Sequence, residues 1–97
     1  MSSPETKAFE EKINAQLQQT KAQLGEFEAQ AKGRAAQAEI DTINRLKSQH
    51  QAIDRKRQEL KTVGDAKAGE VKAEIDHDVA KLKTSLADLA IKLKKAG

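Results

Sequence analysis

Glu74-Ile75-Asp76-His77 sets a carboxylate and an imidazole three residues apart. On a helix that spacing stacks both side chains on one face, and Glu-x-x-His supplies metal ligands in carboxylate-bridged di-iron bundles. Such a centre needs a second copy of the motif and two further inward glutamates. This chain has one copy, and Ile75 falls on the apolar stripe traced below while Glu74 and His77 do not. A solvated helix face is the better reading, and no metal or cofactor is expected. His50, in Lys-Ser-Gln-His-Gln, stands beside a gap in the same stripe. It reads as a surface or interface histidine with the capacity for a pH-sensitive contact.

Arg55-Lys56-Arg57 is the densest basic run, and Lys92, Lys94 and Lys95 form a second. Phosphate backbones attract such clusters. Asp54 and Glu59 flank the first run, however, and no aromatic stands by for base stacking. Nucleic acid is disfavoured as a partner, and polyanion binding ranks below the readings that follow. No phosphate-cradling glycine loop, nucleophile elbow or zinc-protease pattern occurs. With no Cys in the chain, thiolate catalysis and Cys-based zinc sites are also excluded. The expectation is a protein that is not an enzyme.

The elements that carry these residues follow from composition. Ala, Glu, Lys, Leu and Arg make 51 of the 97 residues, a bias that signals long helix or coiled coil. The large apolar residues are eight Leu, six Ile, three Val and two Phe. Burying one such side chain is worth roughly 1.5–3 kcal/mol, while ordering each residue's backbone costs about 1–2 kcal/mol. A lone helix cannot meet that cost, so the apolar residues must face another helix. Charges of both signs are interspersed and the net charge is only +3, which argues against disorder. Residues 1–12 hold no apolar run, and no stretch approaches the roughly 20 apolar residues of a membrane span. A cytoplasmic location is the expectation.

Ser3-Pro4-Glu5 is a helix start, with Ser3 as N-cap and Pro4 where its missing N–H costs nothing. No other proline follows. An apolar stripe then runs from Ile13 through Leu17, Leu24, Phe27, Leu46, Ile53, Leu60, Val71, Ile75, Leu82, Leu86 and Leu89 to Leu93. Counted with its alanine and polar positions, among them Thr20, Thr42 and Asp78, the stripe takes 22 steps over these 80 residues. That is about 3.64 residues each, close to the 3.67 of an eleven-residue repeat, so nearly straight helices are expected. Between Ala31 and Ala38 the stripe is all alanine, and Gln49, Lys56 and Lys67 interrupt it later.

Two glycine sites could turn the chain. Gly64 could take the left-handed position at a helix end, with Asp65 capping the next helix. Gly33 lies in Ala-Lys-Gly-Arg-Ala-Ala-Gln, a poor loop. The pattern therefore predicts one all-helical unit over residues 1–97: a helix over about 3–62, a turn or hinge at 62–66 around Gly64 and Asp65, and a helix over about 66–95. Folded back, the second helix would cover only half of the first. Phe9, Ile13, Leu17, Leu24 and Phe27, with Leu82, Leu86, Leu89 and Leu93, would then meet a partner, most simply in a homodimer. The acidic first third, at −2 against +3 for residues 31–60, favours antiparallel pairing. The alternative fold is a three-helix bundle with turns near Gly33 and Gly64.

Two functions compete on this all-α fold. The first is a non-enzymatic coiled-coil or hairpin protein acting through helix-face association with itself or with another protein. The second is a lipid- or membrane-surface binder using residues 71–93, whose apolar face is flanked by Lys72, Lys81, Lys83 and Lys92. Six acids offset the eight lysines of residues 61–97, which favours the partner helix over the membrane.

Ala-Gln-Leu-Gly-Glu-Phe-Glu-Ala-Gln at 22–30, the stretch Ile40–Val71 and Val-Ala-Lys-Leu-Lys-Thr-Ser-Leu at 79–86 together resemble small uncharacterised bacterial coiled-coil proteins. Members of that group often carry Trp where this chain has Phe27. The composition is also similar to that of apolipoprotein-like and desiccation-protection proteins. The resemblance implies helices and association, and supplies no activity and no site.

Overall fold

A computed structural model describes residues 3–96 and holds three helices: α1 (Pro4–Gly33), α2 (Gln37–Glu59) and α3 (Asp65–Ala96). They form a rod of 48 × 17 × 17 Å, about the length of α3 alone at 1.5 Å per residue. Helix α2 runs back along α1, which brings Lys47 beside Glu28 and His50 beside Leu17. Helix α3 runs forward again, parallel to α1, so that Lys72 meets Phe9 and Arg34 meets Leu93. The fold is the three-helix bundle, not the hairpin.

The start of α1 follows its residues. The Ser3 hydroxyl accepts the Thr6 backbone N–H at 3.1 Å, and Pro4 opens the helix. The first turn also carries Glu5, favourable at the positive end of the helix dipole.

The helix expected over residues 3–62 breaks at Arg34–Ala36. Ala36 N–H bonds back to the Ala31 carbonyl at 2.9 Å, and Ala35 N–H to that of Lys32 at 3.1 Å. This six-to-one pairing closes helices whose next residue turns left-handed. Here that residue is Ala35, with φ 53°, alone among the described non-glycine residues. An L-residue there costs about 1–2 kcal/mol. The turn also leaves α2 with Ala36 as N-cap and no side-chain cap bond. Both local penalties are outweighed by tertiary burial. Ile43, Leu46, Ile53 and Leu60 leave solvent almost completely once α2 lies on its neighbours, and each such side chain contributes roughly 1.5–3 kcal/mol.

The second turn falls at Leu60–Gly64, slightly ahead of the expected hinge. Gly64 does not use its left-handed freedom, since no described glycine has positive φ. Its carbonyl instead accepts Lys67 N–H at 3.0 Å and Ala68 N–H at 3.1 Å, so Gly64 stands at the cap of α3 and Asp65 lies inside the first turn.

One core runs the length of the rod. Ile13, Leu17, Leu24, Leu82, Leu86, Leu89 and Leu93, expected to await a partner chain, are all buried within this one chain. Only Phe9 and Phe27 of that set remain half-buried at its margin. The argument for a homodimer from an uncovered seam therefore no longer applies. What remains for association is the outer surface.

Candidate functional site

The chemistry-bearing residues are scattered. Glu74 lies 3.5 Å from the Lys56 ammonium, whose closer partner is Asp78 at 2.7 Å. His77 is exposed and shares no contact with that group. Among the described residues no cluster of three His, Cys, Asp or Glu side chains is assembled. The Arg55-Lys56-Arg57 run is likewise dispersed around α2. Arg55 points to the α1 side, Lys56 crosses to α3, and Arg57 turns back to Asp54 at 2.8 Å. Three adjacent cations thus serve three different surfaces.

Two grooves flank α1. The first lies between α1 and α2, has a volume of about 590 Å³, and is bordered by Lys21, Leu24, Gly25, Lys47, His50, Gln51, Asp54 and Arg55. Its wall is held by His50, whose Nε2 lies 2.8 Å from the Leu17 carbonyl across the helix pair. A carbonyl only accepts, so Nε2 carries the proton. The Leu17 carbonyl also takes the Thr20 hydroxyl at 3.0 Å. Farther along, Lys47 reaches Glu28, and that hydrogen bond holds the Glu28 carboxyl below its ordinary range.

Gly25 opens this groove. A glycine in a helix interior costs about 0.5–1 kcal/mol against Ala, and here neither backbone nor packing requires one. Its φ is not positive, and a Cβ at this position would meet nothing within 4 Å. It borders the groove together with Lys21 and Gln51.

The second groove, about 560 Å³, lies between α1 and α3. Gln23 and Phe27 form one wall, and Lys83, Ala87 and Ala90 the other. Phe27 is half-buried, and Ile91, one turn beyond Ala87, is 53% exposed, the one exposed large hydrophobic among the described residues. At the opposite end of the same seam, Lys72 Nζ lies 5.8 Å from the centre of the Phe9 ring. That ammonium shields the ring, whereas the Phe27 end stays open.

The apolar face of residues 71–93 is not available to a membrane in this arrangement. Val71, Ile75, Val79, Leu82, Leu86, Leu89 and Leu93 all point into the core. No helix of the described residues is long and apolar enough to cross a bilayer.

Sequence reasoning placed Phe27 on a contact surface, and the structure leaves it beside an open groove. It did not find the Lys21–Arg55 groove, because those residues are 34 positions apart and meet only once the chain turns at Ala35. Comparison with protein families, with curated proteins and with solved structures finds no match to this chain.

Proposed function

We propose that this protein is a non-enzymatic helical interaction module that works by offering an outer helix face, first to a second copy of itself. The observation that supports the reading is the Phe27 end of the α1/α3 seam. There half-buried Phe27 faces the small side chains of Ala87 and Ala90 across an open groove, and exposed Ile91 lies one turn beyond Ala87 on α3. Large apolar side chains are normally drawn into the core of so small a bundle, and aromatic anchors beside small residues are what helix-in-groove docking uses. Gln19, Gln23 and Lys83 border the groove as a polar rim.

The test is sedimentation equilibrium on the wild type and on the double variant Phe27→Lys/Ile91→Lys. The wild type should show a mass that rises with concentration through the micromolar range, and the variant should stay a folded monomer by circular dichroism. A wild type that remains monomeric at high micromolar concentration contradicts the reading.

A further inference from the structure

We propose that the α1/α2 groove is a binding site for a small molecule carrying a di- or polyphosphate group, held by Lys21, Lys47 and Arg55 over the opening left by Gly25. The site is independent of the Phe27 groove, which lies on the other flank of α1.

Charge points to an anion. Three cations and a single carboxylate line the groove. That carboxylate, Asp54, is already engaged by Arg57 at 2.8 Å and by Gln58 at 3.2 Å. Among the described residues Lys21 and Arg55 form no ion pair and no side-chain hydrogen bond, so two positive heads on opposite walls face open water. Arg55 offers a planar fork suited to two phosphate oxygens at once, and the lysines supply mobile point charges. Lys47 is shared with Glu28 at the far end, which limits the anion at that edge.

Shape points the same way. At about 590 Å³ the groove falls within the range of small-molecule sites and exceeds what one phosphate fills. The positions of Lys47 and Arg55 are eight residues apart on α2, roughly 12 Å along the axis, a span that suits a chain of phosphates better than one. His50 sets the width by joining α2 to the Leu17 carbonyl. Gly25 borders the cleft, and a Cβ there would meet nothing within 4 Å, so the groove edge at this position is open.

Inorganic pyrophosphate is the probe, added to the whole chain at physiological salt and followed by titration calorimetry and by amide shifts. The expected result is saturable one-to-one binding with shifts centred on Lys21, Gly25, Lys47, His50 and Arg55. Lys21→Glu/Arg55→Glu should weaken it by about tenfold or more, since each charged hydrogen bond carries a factor of that order. Lys94→Glu/Lys95→Glu, with the same change in net charge, should leave it nearly unchanged. Gly25→Leu should raise the melting temperature and abolish binding, a pair of effects that misfolding cannot produce. Equal weakening by the two charge reversals overturns the proposal, as does unaltered binding by Gly25→Leu. Absence of saturable binding at millimolar pyrophosphate overturns it as well.

Discussion

The His50 imidazole donates to the backbone carbonyl of Leu17, 2.8 Å away and 33 residues earlier in the chain. It is a direct polar bond between α1 and α2, joined farther along the pair by Lys47–Glu28, and it helps fix how far one helix can slide along the other. Apolar packing tolerates small axial shifts, whereas a hydrogen bond weakens steeply as its geometry degrades.

His50→Ala should therefore lower stability by about 1 kcal/mol, the usual net value of such a bond. The loss stays modest because Thr20 still serves the same carbonyl. For a domain of this size that is roughly 4–8 °C in melting temperature, read by circular dichroism. An unchanged melting temperature would show that the bond does not contribute.

Ala35→Gly should stabilise the protein. Ala35 holds φ 53° in the turn between α1 and α2, a conformation that glycine adopts without a Cβ penalty. Relief of about 1–2 kcal/mol at the turn is partly offset by the greater freedom of glycine in the unfolded chain. The midpoint of urea unfolding should move up with the slope unchanged. A downward shift would mean that the left-handed turn is not the one formed in solution.

Ile13→Ala should cost about 2–5 kcal/mol, because Ile13 is wholly buried within the bundle. The cost should not depend on protein concentration, since every neighbour belongs to the same chain. Ile91→Ala, at an exposed position, should change stability by less than about 0.5 kcal/mol. A loss at Ile13 that grows on dilution would restore the intermolecular contact.

Two ion pairs set the response to pH, in opposite directions. The hydrogen bond from Lys47 holds the Glu28 carboxyl below its ordinary 4.5. Its contribution is complete above that value and is lost as pH falls through the lowered folded value. The hydrogen bond with Asp78 raises the Lys56 ammonium above its ordinary 10.5, with Glu74 adding attraction against the cost of burial. That contribution is complete below 10.5 and is lost as pH rises beyond it. Glu28→Gln should flatten the acid limb of melting temperature against pH, and Lys56→Met the alkaline limb. Both pairs are solvent-accessible, so the effects are small and shrink further in high salt.

Much of the architecture is legible in the residues. The Ser3-Pro4 start, the exclusively helical composition and the apolar residues of α3 all appear where the pattern puts them. The stripe slips by one position where it meets polar residues. Ile43 is buried rather than Thr42, and Ala68 rather than Lys67, while His50 takes the half-buried place next to exposed Gln49. Those slips are how a helix of 3.6 residues per turn keeps one face inward over a long run.

The turn at Ala35 is the part that local reasoning does not reach. Gly33 is the residue suited to a left-handed turn, yet the left-handed residue is Ala35 two positions later, and a continuous helix is better on propensity alone. Burial of Ile43, Leu46, Ile53 and Leu60 decides otherwise, and that burial involves residues distant in the chain. The groove at Lys21, Lys47 and Arg55 is invisible for the same reason, since it exists only after that turn.

An odd number of helices has a mechanical result. Because α3 retraces the direction of α1, Ser3 and Lys95 lie at opposite poles of the rod. Tension applied between those poles is directed along the helix axes and loads all the interhelical seams together in shear. A two-helix hairpin pulled at its ends would open like a zipper, one layer after another. This bundle should instead hold until many layers fail at once.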